Sequence, residues 1–184
     1  MDSKTIGVLG GTGPAGSAVA VRIAAAGYTV LLGSREATKA QAKVDELHAL
    51  FPGRLGGLRG VDNATAAATD IAILATVADS IIPTATDHAG VLAGRVVVCM
   101  ANLLHKTPRG FAAAFPPEGS VAEAVQVVVP TAMRFAGFEA VDPRTISATI
   151  AGVDDSSARA SSVSARQGRL PRNRGRTDRR HCRR

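Results

Sequence analysis

A glycine-rich turn near the N-terminus constrains the fold of this chain more than any other feature. Residues 5–10 form a short apolar run that ends in glycine, and residues 15–26 bring small apolar residues at helical density. Between them, Gly11-Thr12-Gly13-Pro14-Ala15-Gly16 carries the spacing G-x-G-x-x-G. This spacing, between a strand and a helix at the start of a βαβ unit, is typical of dinucleotide-binding folds.

Each of the three glycines in this motif has a structural reason. Gly11 allows the tight turn, Gly13 lets the backbone approach a pyrophosphate, and Gly16 lets the helix pack close to the strand. Free N–H groups at the helix N-terminus then hold the anion. A turn that is simply rich in glycine is the alternative, but the strand before it and the helix after it favour dinucleotide binding.

The end of the second predicted strand, residues 28–32, indicates which dinucleotide is bound. An NAD enzyme places an Asp or Glu about 20 residues beyond the glycine turn to accept a hydrogen bond from the ribose 2′-hydroxyl. This chain has Ser34 and Arg35 there, and Lys39 follows one helical turn later. These donors attract a 2′-phosphate, so NADP is favoured over NAD. The alternative is that Arg35 and Lys39 are a solvated helix start.

The remaining sequence continues the alternation of strands and helices. It predicts an α/β fold of the Rossmann type, a doubly wound parallel sheet in a three-layer α/β/α arrangement. We expect residues 1–156 to form this NADP-binding domain. The further predicted helices are 36–50, 63–68, 79–92 and 119–129, with Glu118 in or near the first turn of the last, and the further strands are 54–60 (weak), 70–76, 95–100, 135–141 and 145–151.

The net charge of +7 is distributed unevenly. Residues 1–158 carry 12 Lys and Arg against 14 Asp and Glu, a net of −2, whereas residues 159–184 carry 10 Arg against Asp178, a net of +9. The folded part therefore has no basic face for specific nucleic-acid recognition. We expect residues 157–184 to be a disordered Arg-rich tail, because Arg, Ser, Gly and Pro cannot bury a core.

Other signals bear on the compartment. No apolar run approaches the roughly 20 residues that span a bilayer, and the N-terminus lacks the pattern of a signal peptide. The two cysteines, Cys99 and Cys182, form neither a disulfide framework nor a metal-ligand spacing. We therefore expect a cytoplasmic protein that binds no membrane and no metal.

Several short motifs, in a fixed order, resemble one enzyme family. They are residues 10–16, Gly33-Ser34-Arg35, Asp62-Asn63-Ala64, Met100-Ala101-Asn102 and residues 116–126. Over about residues 4–155 the chain resembles the NADPH-dependent coenzyme F-420 reductases, also called 8-hydroxy-5-deazaflavin:NADP oxidoreductases. The resemblance implies hydride transfer between NADP(H) and the deazaflavin coenzyme F-420, stacked in a cleft at the carboxyl ends of the strands.

The resemblance also implies roles for individual residues. No catalytic side chain is expected, because the two cofactors carry the hydride chemistry and the protein orients them and excludes water. The resemblance assigns the pyrophosphate to Thr12, Gly13, Pro14 and Ala15, the 2′-phosphate to Ser34, Arg35 and Lys39, the nicotinamide side to Thr76 and Val77, and the border of the deazaflavin site to Asn102, Leu103 and Leu104.

The chain also departs from the family pattern. Thr76-Val77 is followed by Ala78-Asp79 where family members have proline and an aromatic residue, and Glu139 replaces a histidine on the substrate side. A carboxylate there should weaken the binding of an anionic deazaflavin. Beyond Asp155 the Arg-rich tail stands where the family pattern has further helix and strand, so we expect a divergent or truncated C-terminus. A frame shift is one hypothesis for this tail, because out-of-frame reading of GC-rich DNA yields Arg, Gly, Pro and Ser. Translating the other reading frames of the gene would test it.

Those departures leave other functions open. One alternative is a reductase of an imine or another small substrate on the same fold. Another is a non-catalytic NADP-binding or sensor protein. The resemblance also suggests a homodimer.

Overall fold

The structure is a computed structural model that describes residues 4–101, 103–108, 110–114 and 116–136. Eight strands are present in these ranges: β1 Thr5–Leu9, β2 Thr29–Ser34, β3 Leu58–Asp62, β4 Ile71–Leu74, β5 Val96–Cys99, β6 Leu104–Thr107, β7 Gly110–Ala113 and β8 Met133–Ala136. Six helices accompany them: α1 Pro14–Ala25, α2 Ala37–Leu50, α3 Asn63–Ala67, α4 Ala78–Asp87, α5 Ala89–Leu92 and α6 Val121–Val128.

Six of the strands form one parallel sheet in the order β3-β2-β1-β4-β5-β8. In the register of the central strands, Ile6 of β1 lies between Val30 of β2 and Ile71 of β4. The chain order runs outward from β1 in both directions, so the sheet reverses its winding between β1 and β4. Such a switch point leaves a crevice at the carboxyl ends of the strands, where α/β proteins bind ligands. The predicted Rossmann-type fold is confirmed.

The core is divided by the sheet into two layers, because successive side chains on a strand point to opposite faces. On one face Val8 packs in a cluster with Val44 of α2, and α1 belongs to the same layer. On the other face Leu74 packs with Ile81 of α4, together with residues of α3, α5 and α6. Because both faces are covered, the central strands are apolar almost throughout.

Some predicted elements differ from those observed. The helix predicted over residues 79–92 is two helices, since His88 has φ −116° and ψ 12° and ends α4 before α5 begins. Helix α6 begins at Val121 because the Ser120 hydroxyl caps it, accepting a hydrogen bond from Glu123 N–H at 3.1 Å. Glu123 therefore lies in its first turn, and Glu118, predicted to lie in or near that turn, stands two residues before the cap.

Two further differences concern strands. The antiparallel hairpin of β6 and β7 lies outside the parallel sheet and was not predicted from the sequence. Strand β8 begins at Met133, two residues before the strand predicted over residues 135–141. The rest of that predicted strand, and the one predicted over 145–151, lie outside the described residues.

Among the described helices, none is both long enough and apolar enough to cross a membrane.

Candidate functional site

A cleft of about 350 Å³ opens at the carboxyl ends of the strands, beside the switch point between β1 and β4. The turn after β1, the end of β2 with the start of α2, the start of α3 and the turn after β4 all contribute to it. Its lining residues are Gly10, Thr12, Gly13, Ser34, Arg35, Glu36, Lys39, Asn63, Ala75, Thr76, Val77, Ser80 and Thr84.

The glycine turn holds its shape by close packing on one side and leaves open space on the other. The Gly11 N–H donates to the Gly33 carbonyl at 2.8 Å, which ties the turn to β2. A Cβ placed on Gly16 would lie 2.7 Å from the Gly11 Cα and 3.1 Å from the Ala75 Cβ, so only glycine lets α1 approach this closely. Within the described part of the chain, the nearest atom to a Cβ on Gly13 would be the Gly10 carbonyl oxygen, at 3.9 Å. A ligand can therefore approach the backbone at Gly13.

Helix α1 presents free N–H groups at the same place. Gly13 is its N-cap, and among the residues that the structure describes no side chain caps it. Ser17 N–H makes the first helical bond, to the Gly13 carbonyl at 2.9 Å, and Pro14 has no N–H. The N–H groups of Ala15 and Gly16 thus precede the helical ladder, and groups of this kind bind anions.

The second strand ends in a cluster of polar and charged residues at the far side of the cleft. Ser34 is the last residue of β2 and is buried, whereas Arg35 is exposed and has no ion-pair partner among the described residues. Lys39 does have a partner: its Nζ lies 2.6 Å from Oε1 of Glu36, the N-cap residue of α2. The sequence predicted Lys39 as a third donor beside Ser34 and Arg35, and its ion pair with Glu36 was not predicted.

Asn63 lines the cleft, although no role in the site was predicted for it from the sequence. It is buried, begins α3, and its Oδ1 accepts a hydrogen bond from Gly10 N–H at 3.1 Å. Asp62 caps this short helix, accepting from Thr65 N–H at 2.8 Å and from the Thr65 hydroxyl at 3.0 Å. These two hydrogen bonds hold the pKa of Asp62 below its ordinary value, and the bond from the Thr65 backbone N–H has the larger effect. The position of Asn63 at the carboxyl end of a parallel strand is a signal that could have identified it.

The turn after β4 forms the opposite wall. Thr76 Oγ1 is buried and has no hydrogen-bond partner among the described residues, which is costly unless a ligand or water supplies one. Val77 is 73% exposed. Ser80 and Thr84 extend this wall along α4, since residues four apart lie on the same helix face.

The structure thus brings most of the predicted cofactor residues together in one cleft. Thr12, Gly13, Ser34, Arg35, Lys39, Thr76 and Val77 line it. Gly11, Pro14, Ala15 and Gly16 form the turn and helix start immediately behind the lining. Besides Glu36 and Asn63, the lining residues not predicted are Gly10, Ala75, Ser80 and Thr84.

The four residues predicted for the substrate side are not among the described residues that line the cleft. Leu103 is half-buried against the core layer that contains α4, and Leu104 begins β6. Asn102 and Glu139 lie outside the described residues. Within the described ranges, no group of three or more His, Cys, Asp or Glu side chains is placed to hold a metal ion.

Comparison with known proteins identifies the family of this chain. Residues 5–103 match the sequence model of a family described as NADP oxidoreductase, coenzyme F-420-dependent. A solved structure of a candidate F-420-dependent NADP reductase from Arthrobacter sp. FB24 is 26% identical, with a TM-score of 0.62; the match covers 77% of this chain and 64% of that one. The chain therefore spans less than two thirds of that protein's length.

Two more solved structures share the fold. The hypothetical protein SMa0349 from Sinorhizobium meliloti is 24% identical with a TM-score of 0.63, over 80% of this chain and 66% of that one. An imine reductase from Bacillus cereus BAG3X2 is 24% identical with a TM-score of 0.53, over 77% of this chain and 43% of that one.

Proposed function

The chain belongs to the family of coenzyme F-420-dependent NADP oxidoreductases, and from this premise we propose that it transfers a hydride between NADP(H) and the deazaflavin coenzyme F-420. The observation that carries the proposal is the convergence of three features on one cleft. These are the glycine turn, the Ser34-Arg35 pair and the turn that contains Thr76.

The pyrophosphate of NADP(H) fits the glycine turn. The space at Gly13 would admit it, and the N–H groups of Ala15 and Gly16 would donate to its oxygens. The helix dipole of α1 favours a negative charge at this end. Because Gly13 has φ −73° and ψ 167°, glycine is not required there for backbone conformation, and the lack of a side chain serves the approach of a ligand.

The adenosine half would then extend toward the end of β2. There the Ser34 hydroxyl, the Arg35 guanidinium and the Lys39 ammonium would hold the 2′-phosphate through charge-assisted hydrogen bonds. The Ala37 and Thr38 N–H groups also precede the helical bonds of α2, whose first two run from Lys39 and Ala40 N–H to the Glu36 carbonyl. This end of the cleft is therefore rich in donors suited to a phosphate.

The nicotinamide half would lie against the opposite wall, where Thr76 Oγ1 has a buried and unused hydrogen-bonding position. A carboxamide or a ribose hydroxyl would supply the missing partner. Val77 presents an apolar surface beside it. When bound, the nicotinamide and deazaflavin rings exchange the hydride themselves, and the protein's part is to align them and exclude water.

A turnover assay on the full chain tests the proposal. We expect the chain to bind NADPH and, after oxidised F-420 is added, to consume NADPH in proportion to reduced F-420. Gly13→Val should raise the Kd for NADPH at least tenfold, about 1.4 kcal/mol, and abolish turnover, because its side chain fills the approach to the turn. Gly56→Val is the matched control, since a Cβ there has nothing within 4 Å.

The outcomes separate the alternatives. NADPH binding without oxidation by F-420 would contradict hydride transfer to the deazaflavin and favour a sensor. Oxidation of NADPH by a cyclic imine, but not by F-420, would favour an imine reductase. Equal NADPH affinity in Gly13→Val and Gly56→Val would place the dinucleotide elsewhere.

A further inference from the structure

A carboxylate lies inside the part of the cleft that would take the 2′-phosphate. Glu36 lines the cleft together with Ser34, Arg35 and Lys39. Its Oε1 lies 2.6 Å from Lys39 Nζ, and the two side chains are 58% and 66% exposed. The ion pair is therefore hydrated and free to rearrange, and its energy is that of a surface pair.

The pair changes the charge that a ligand meets at this point. Arg35 contributes one positive charge, while Lys39 and Glu36 neutralise each other. A 2′-phosphate carries about −1.5 to −2 charges at pH 7 and must draw Lys39 away from the carboxylate while lying close to it. A 2′-hydroxyl carries no charge, so NADH neither competes for the lysine nor is repelled. The Glu36 carboxylate can also accept a hydrogen bond from that hydroxyl.

We propose that Glu36 is a specificity-determining residue that narrows the preference of this chain for NADPH over NADH. In the free protein its carboxylate holds Lys39, and on NADPH binding the lysine transfers from the carboxylate to the 2′-phosphate. This inference rests on the proposed binding of NADP(H) in the cleft. An exposed ion pair contributes up to about 1 kcal/mol, which is about fivefold in an equilibrium constant. We therefore expect removal of the Glu36 carboxylate to change the Kd of NADPH about two- to fivefold.

The same helix offers a matched control. Lys43 and Glu46 of α2 form a second ion pair between residues three apart, with Nζ and Oε1 separated by 2.8 Å. Glu46 does not line the cleft. It lies ten residues beyond Glu36, about 15 Å along the helix axis, which exceeds the Debye length of about 8 Å at physiological salt. Glu36→Gln and Glu46→Gln thus remove the same charge and a similar pair, at different distances from the site.

The experiment measures the Kd of NADPH and of NADH for the full chain and for both variants by calorimetry at physiological ionic strength. We expect Glu36→Gln to bind NADPH two- to fivefold more tightly, with NADH affinity unchanged or lower. Glu46→Gln should leave the ratio of the two Kd values as it is. In a Lys39→Gln background, the gain from Glu36→Gln should fall below twofold, because no lysine is left to release.

Three results would overturn the inference. An unchanged Kd ratio in Glu36→Gln, or weaker NADPH binding by it, would show that the carboxylate does not oppose the phosphate, while the binding of NADP(H) would stand. A full gain in the Lys39→Gln background would exclude the exchange of the lysine. If the unmodified chain binds neither nucleotide, the proposed function itself fails, and this inference with it.

Discussion

Asn63 connects two parts of the cleft through a single side chain. Its Oδ1 holds the Gly10 N–H and so fixes the start of the glycine turn. Its Nδ2 has no hydrogen-bond partner among the described residues, and the side chain lines the cleft. The orientation of the amide follows from the Gly10 bond, since an oxygen must accept there. If the dinucleotide binds as proposed, the amide would donate to it while the oxygen supports the turn.

Two substitutions of Asn63 separate these roles. Asn63→Ala leaves the Gly10 N–H without an acceptor, so we expect the free energy of unfolding, measured in urea, to fall by about 1–3 kcal/mol. Asn63→Asp keeps the acceptor and replaces the donor with a negative charge. Because Asn63 is buried, the added charge should also lower the free energy of unfolding, although the retained oxygen keeps an acceptor for the Gly10 N–H. We expect the folded variant to bind NADPH at least tenfold more weakly, as measured by calorimetry. NADPH affinity that survives in Asn63→Asp would show that the amide does not face the dinucleotide.

At the scale of residues, the sequence predicted those cleft residues that belong to the glycine motif or stand at the end of a predicted strand. Gly13 and Arg35 were predicted in this way. Gly13 belongs to the glycine turn, and Arg35 directly follows the second strand, so nearby sequence alone places both at the carboxyl ends of the strands. Glu36 and Asn63 were not given roles. An ion pair across one helical turn and a side-chain bond over 53 residues depend on three-dimensional contacts, which a local pattern does not show.

At the scale of elements, α3 depends on the cap that Asp62 provides. Its pKa is lowered, so this carboxylate contributes stability that is complete above its ordinary pKa of about 3.9 and is lost as the pH falls through the lower folded value. We expect Asp62→Ala to reduce the free energy of unfolding by about 1 kcal/mol at pH 7 and by less at pH 3, measured by urea titration. Asp62→Asn, which retains an acceptor, should cost less at pH 7. A deficit for Asp62→Ala that is equal at both pH values would contradict a role for the charge.

The elements themselves were predicted best where apolar runs and turn residues agree. The first five strands of the parallel sheet were predicted within a few residues, including the weak third strand. The hairpin of β6 and β7 was missed, although the sequence Thr107-Pro108-Arg109-Gly110 has the proline and glycine positions typical of a tight turn. Its strands are four residues each, as are β4 and β5, but three of the four residues of β6 are polar, in the sequence Leu104-His105-Lys106-Thr107. That strand therefore lacks the apolar run by which the strands of the parallel sheet were predicted.

At the scale of the whole molecule, the charge is divided between two parts of the chain. The cleft is formed by residues 10–84, in the part that carries the net charge of −2, and its cations are confined to the end of β2 and the start of α2. The positive excess lies in residues 157–184, which contain 10 Arg and one acidic residue, Asp178. The positive sign of the chain's net charge therefore gives no information about the ligand of the cleft. The boundary at residue 156 remains a prediction from the sequence.

A chain that ends at residue 156 tests that boundary. We expect its Kd for NADPH to lie within about twofold of the full chain's value, because every residue that lines the cleft is retained. We expect the full chain, but not the shortened one, to bind heparin, with an affinity that falls as salt rises, because unspecific binding by an arginine tail is driven by counterion release. Gly13→Val in the full chain should show the converse pattern, keeping heparin binding and losing NADPH. If the shortened chain folds but no longer binds NADPH, residues 157–184 belong to the functional domain and the proposed boundary is wrong.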